Sequence, residues 1–173
     1  MQQSEAGRGP RRHEPQPHTE GEVMELETIV VGFDGSANAR RALQAAIDLS
    51  QDKTTVHVVT AFDPPSAEQL QQILHVLPEE YRTGSDLLEG PRGELRDAEH
   101  TLENHGIKHE GHFVSDKPAA AILDVAEEVD ADLIVVGSRG LGRATRFLRG
   151  SVSSRIAAHA PRSFLVIHDE DES

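Results

Sequence analysis

Residues 28–62 read TIVVGFDGSANARRALQAAIDLSQDKTTVHVVTAF. TIVVGF is a short apolar, β-branched run that stops at DGS, the pattern of a buried strand entering a turn. Ser36 suits a helix N-cap, and Ala39, Leu43, Ala46 and Ile47 then recur on one helical face. TTVHVVTAF is a second strand-like run. A strand, an amphipathic helix and a second strand in succession predict parallel pairing through a right-handed crossover.

The same rhythm continues outward. Residues 63–91 are a long segment after DPP, in which Leu70, Ile73, Leu74 and Leu77 suggest one short helix. Pro91 is read as opening a helix that carries Leu95, Ala98 and Leu102 inward and closes at Gly106. IKHEGHFV is a third strand whose alternate polar residues suit a sheet edge. Asp116 and Pro118 start a helix with Ile122, Leu123, Ala126 and Val129 inward. DLIVVG is a fourth strand, residues 151–160 a helix stopped by Pro161, and SFLVIH a fifth strand. The fold class expected is α/β, a doubly wound five-stranded parallel sheet with helices on both faces. In such sheets ligands bind beyond the carboxyl ends of the strands, where the strand order reverses. With the order 3-2-1-4-5, the turns GFDGS after strand one and GSRGLG after strand four flank one crevice.

Composition bounds the function. The chain has 173 residues, 36% of them hydrophobic and 3% aromatic, so its core is built from Val, Ile, Leu and Ala. It has no cysteine, which excludes disulfides, thiolate ligands and a cysteine nucleophile. Residues 1–27 hold six acids against three arginines and residues 169–172 four acids, which leaves −6 of the net −13 on the stretch between. That sign disfavours nonspecific nucleic acid and anionic membranes as partners. No apolar run approaches about 18 residues, so a soluble, cytoplasmic protein is expected. Residues 1–25 read as a disordered tail, 26–168 as one folded domain and 169–173 as an acidic tail.

The chemistry concentrates in residues 135–159, VVGSRGLGRATRFLRGSVSSRIAAH. Gly137, Gly140 and Gly150 permit close backbone approach, and Gly150-Ser151 stands where a helix begins. The free N–H groups and dipole of that helix start favour an anion, and Ser151, Ser153 and Ser154 add hydroxyls to its first turn. On these residues alone the segment reads either as a phosphate cradle or as a plain loop with a serine cap. It is neither a Walker loop, since no Gly-Lys-Ser/Thr follows, nor the dinucleotide fingerprint.

The spacing Gly137–Gly140–Gly150-Ser151, between DLIVV and a final FLVI strand, resembles the universal stress protein family, as does IVVGFDGS. The likeness runs from about residue 27 to 168. It implies a parallel sheet of order 3-2-1-4-5, a homodimer, here through the fifth strand, and, with the full glycine pattern, the class that binds ATP, with or without Mg2+. Carried over by position, the resemblance places Gly32, Phe33 and Asp34 at the nucleoside and Ala61 at the adenine. Val136 and Gly137 would flank the ribose and first phosphates. Gly140, Gly150, Ser151, Val152 and Ser153 would wrap the phosphate chain. Arg139 and Arg143 are the arginines best placed to neutralise phosphate charge; solvated surface arginines are the other reading.

Asp34 has a plainer reading too, since an acid before Gly-Ser commonly organises a turn. His105, His109 and His112 are read as no metal site, because His109 and His112 point to opposite faces of a regular strand. Three functions are compatible with the residues. The one expected is a nucleotide-dependent regulatory stress protein acting on a protein partner whose identity the residues do not contain. The alternatives are a weak ATP hydrolase or self-phosphorylating protein, for which no evident base stands beside the loop, and a dimeric scaffold that binds no nucleotide.

Overall fold

The computed structural model describes residues 25–76, 86–138 and 151–168. The elements follow the order β1 (Thr28–Gly32), α1 (Ala37–Leu49), β2 (Thr55–Ala61), α2 (Ala67–Val76), α3 (Asp86–Asn104), β3 (Lys108–Val114), α4 (Pro118–Glu128), β4 (Leu133–Gly137), α5 (Ser151–His159) and β5 (Ser163–Ile167). The five strands form one sheet of order β3-β2-β1-β4-β5, and every pairing is parallel. The tails read at 1–25 and 169–173 lie, Glu25 apart, outside the described residues.

The strand sequences explain the layers. In β1, Ile29 and Val31 point to one face and Val30 to the other, so a continuous apolar run fills two cores at once. On the first face Ile29, Val31, Val56, Val58 and Val135 meet Ala39, Ala42, Leu43 and Ala46 of α1 and Leu95, Ala98 and Leu102 of α3. On the second, Val30, Val59, Ile134 and Val136 meet Ala121, Ile122, Val125 and Ala126 of α4 and Ile156 of α5. Each fully buried Val or Ile contributes roughly 1.5–3 kcal/mol. The alternately polar β3 is an edge strand, as its composition predicts. Asp132 fixes the central pair from below: its Oδ2 accepts the N–H groups of Glu27 and Thr28, both at 2.9 Å.

One expectation needs correction. Pro91 does not open its helix; α3 starts at Asp86 and contains it. A proline in that position removes one i→i−4 hydrogen bond near the amino end, a loss the inward-facing Leu95, Ala98 and Leu102 offset. The stripe read in α4 holds: Ile122 and Ala126 are buried, Leu123 and Val129 pack against the same core, and Ala119, Ala121 and Val125 widen the buried face. α2 is capped by Ser66, whose Oγ accepts the Gln69 N–H at 3.2 Å while Gln69 Oε1 accepts the Ser66 N–H at 2.9 Å. Leu77, assigned to this helix from the sequence, lies outside the described residues. Among the described residues no helix is long and apolar enough to cross a membrane.

Candidate functional site

β1 and β4 are neighbours, but the helices that follow them leave on opposite faces, α1 on one and α5 on the other. A cleft therefore opens at the carboxyl ends of β1, β2 and β4. It encloses about 400 Å³, its open mouth included. Gly32, Phe33, Asp34, Ala61, Val136, Gly137 and Val152, seven of the residues singled out in the sequence, line it.

The turn after β1 is pinned to β2. Phe33 N–H donates to the Val59 carbonyl at 2.9 Å, and the buried Thr60 hydroxyl donates to the Phe33 carbonyl at 3.0 Å. Asp34 Oδ1 accepts the Ser36 N–H at 3.1 Å, Gly35 adopts φ 69°, and Ser36 Oγ accepts the Ala39 N–H at 3.1 Å to cap α1. Asp34 thus organises the turn and also faces the cleft. Beside this turn lies Glu94 of α3, whose side chain a Cβ on Gly35 would meet at 2.8 Å. Burial, and then the negative charge of Asp34, push the Glu94 carboxyl above its ordinary range; Arg40 acts the other way. The Arg40 guanidinium stands 5.9 Å from the centre of the Phe33 ring.

The turn after β4 is held from two sides. Ser138 N–H donates to the Ile167 carbonyl of β5 at 2.7 Å, and the buried Asn38 donates its Nδ2–H to Ser138 Oγ at 3.3 Å. Gly137 packs against the backbone of Asn38. Arg139, Gly140, Arg143 and Gly150 lie outside the described residues. Ser151 begins α5, and Val152 in the first turn of that helix is part of the cleft wall. Ser153, half-buried on the same turn, is not one of the wall residues.

Sequence reasoning missed Ser36, Ala39, Val59, Pro118 and Ile122 in the wall. Val59 was within reach, since it lies two residues before Ala61 on the same strand face. Pro118 and Ile122 carry no local signal; α4 delivers them by crossing β1 and β2. The resulting site has apolar walls from Val59, Ala61, Ile122, Val136 and Val152, the carboxylate of Asp34, and a helix amino terminus beside them. Such a shape takes a flat, partly apolar ligand that carries a negative end.

The model of the family described as "Universal stress protein family" matches residues 25–168. The universal stress protein Rv1636 of Mycobacterium tuberculosis is 31% identical over 145 residues, which cover 82% of this chain and 96% of that protein. A universal stress protein solved in complex with cAMP superposes with a TM-score of 0.61 at 27% identity, over 83% of this chain and 98% of its own. The universal stress protein of Archaeoglobus fulgidus in complex with dAMP gives 0.57 at 27% identity, over 83% of this chain and 99% of its own.

Proposed function

Because the chain belongs to the universal stress protein family, we propose that it is a stress protein whose cleft binds an adenine nucleotide, ATP in the first place, and whose nucleotide state a protein partner reads. The observation that carries this reading is the convergence of Asp34, Ala61, Gly137 and Val152, distant in sequence, on one cleft. Two relatives of the same fold are solved with adenine nucleotides, cAMP and dAMP.

The residues fit such a ligand. Ala61, Val59 and Ile122 offer apolar surface to a base, and Asp34 offers an acceptor to ribose hydroxyls. The amino end of α5 offers N–H groups and a positive dipole end to phosphate. In this reading Gly140, Gly150, Ser151 and Ser153 close around the phosphates, with Arg139 and Arg143 near the charge and Mg2+ bound by the phosphates themselves. Phe164, 40% exposed on the edge strand β5, supports a homodimer through that strand.

The test is the nucleotide content of the purified protein, released by denaturation and identified by mass, followed by ATP titration of the emptied chain. ATP recovered, or bound at micromolar concentration and weakened by Ser151→Ala, supports the reading. No ligand and no binding at millimolar ATP with magnesium would leave the scaffold alternative. Turnover faster than nucleotide release would move the assignment to a hydrolase.

A further inference from the structure

A second cluster of chemically competent side chains lies on β2 and β3, away from the glycine turns. In the parallel register His57 faces Glu110, and Val59 faces His112. Val56 and Val58 point into the α1/α3 core, so His57 points to the α4 side. On β3, Phe113 packs into the α1/α3 core and Val114 against the other, so His112 and Glu110 also face the α4 side. His57 Nδ1 stands 2.9 Å from His112 Nε2 and 3.9 Å from Glu110 Oε2. All three ligand atoms lie within 4.8 Å of one another.

We propose that His57, His112 and Glu110 form a binding site for a divalent first-row transition metal, Zn2+ being the best-matched ion. Two imidazole nitrogens with one carboxylate oxygen are a zinc ligand set, whereas Ca2+ and Mg2+ require oxygen donors throughout. At metal–nitrogen distances of about 2.0–2.1 Å, a tetrahedral ion needs its two nitrogens about 3.3 Å apart, so the pair has only to open by a few tenths of an ångström. Without metal the two rings share a hydrogen bond, in which one nitrogen donates and the other accepts.

The surroundings suit a ligand. Burial first, and then the positive side of His112 and of Lys108, hold His57 below the ordinary imidazole range, while Glu110 acts the other way. The His57 side chain is 10% exposed and that of Glu110 65%, so the site runs from a fixed inner ligand to an outer one that swings in solvent. Three protein ligands leave the fourth position to water. The other two histidines of the sequence triplet are engaged elsewhere: His105 Nδ1 bonds the Thr101 carbonyl at 2.8 Å and His109 Nδ1 the Ile107 carbonyl at 2.9 Å. The missing partner of His112 was on the neighbouring strand. This site does not depend on nucleotide binding.

The experiment is a titration of the chelator-treated full chain with Zn2+ alone, by calorimetry and by competition with a chromophoric chelator, followed by Co2+ substitution. The expected result is one equivalent bound, weakened at least about tenfold by His112→Ala and by a smaller factor in Glu110→Gln. A double His13→Ala, His18→Ala variant of the amino-terminal histidines keeps the equivalent, and Co2+ gives the visible bands of a four-coordinate ion. Glu110 is exposed, so its variant folds and tests the site even where a histidine variant does not. Failure to bind one equivalent at about 100 µM free zinc, binding indifferent to both His112→Ala and Glu110→Gln, or binding lost with the amino-terminal histidines would overturn the assignment and leave His57–His112 a structural hydrogen bond.

Discussion

Gly137 stands so close to Asn38 that a Cβ on it would lie 2.8 Å from both the carbonyl carbon and the Cβ of Asn38. The end of β4 and the start of α1 are therefore in backbone contact at the bottom of the cleft. Backbone cannot rotate away as a side chain does, so the added methyl has to displace the helix. Gly137→Ala is expected to destabilise the protein by about 1–3 kcal/mol, read as a lower midpoint in urea unfolding. A midpoint equal to that of the wild type would show that α1 shifts freely, and Gly137 would then be explained by ligand approach alone.

Ala61 ends β2 inside the cleft wall, beside Val59. A leucine there occupies the space proposed for the base without touching the phosphate end. Ala61→Leu is expected to weaken ATP binding by about tenfold or more, close to 1.4 kcal/mol, with unfolding little changed. Unaltered affinity by calorimetry would remove Ala61 from the nucleotide site.

Burial holds His57 below the imidazole value of 6.5. Above that pH both folded and unfolded chains carry it neutral, and it adds no pH dependence. As pH falls through about 6.5 the unfolded chain takes up a proton that the folded His57 refuses, so stability is lost downward until the folded group itself titrates. In metal-free protein the loss of stability between about pH 7.5 and 5.5 is expected to be smaller in His57→Gln than in the wild type. Equal losses, measured by urea midpoints at both values, would refute the depression.

Glu94 behaves with the opposite sign in pH. Its carboxyl is raised by burial and by Asp34, so it favours the folded state below its unfolded value of 4.5 and loses that contribution as pH rises through its folded value. Glu94→Gln is expected to raise stability at neutral pH by a few tenths of a kcal/mol, since solvent screens a half-buried group. The gain should vanish in acid. Thermal midpoints of the two proteins at about pH 7 and pH 4 check this, and a variant less stable at neutral pH would contradict it.

Much of this was legible in the chain. The run TIVVG, apolar on both faces, requires cover on both sides, and the parallel sheet follows from its alternation with helices such as α1. The turns at Asp34 and Gly137 were legible as the cleft floor because a strand that ends in glycine exposes its last backbone groups. Pro118 and Ile122 were not, since they reach the cleft only by the path of α4. Pro91 misled because proline favours the first turn of a helix and costs a hydrogen bond further in, whereas here the packing of Leu95, Ala98 and Leu102 carries α3 through it.

The sequence by itself determined which segments are strands and helices, that the sheet is parallel, and where the glycine turns fall, because periodicity and turn chemistry are local properties. Tertiary structure alone decided what meets across strands. Register set His57 beside Glu110 and within reach of His112, 55 residues away, and the packing of α3 set Glu94 beside the Asp34–Gly35 turn. Side-chain contacts between distant segments depend on register and helix crossing, and neither is encoded in any single stretch of the chain.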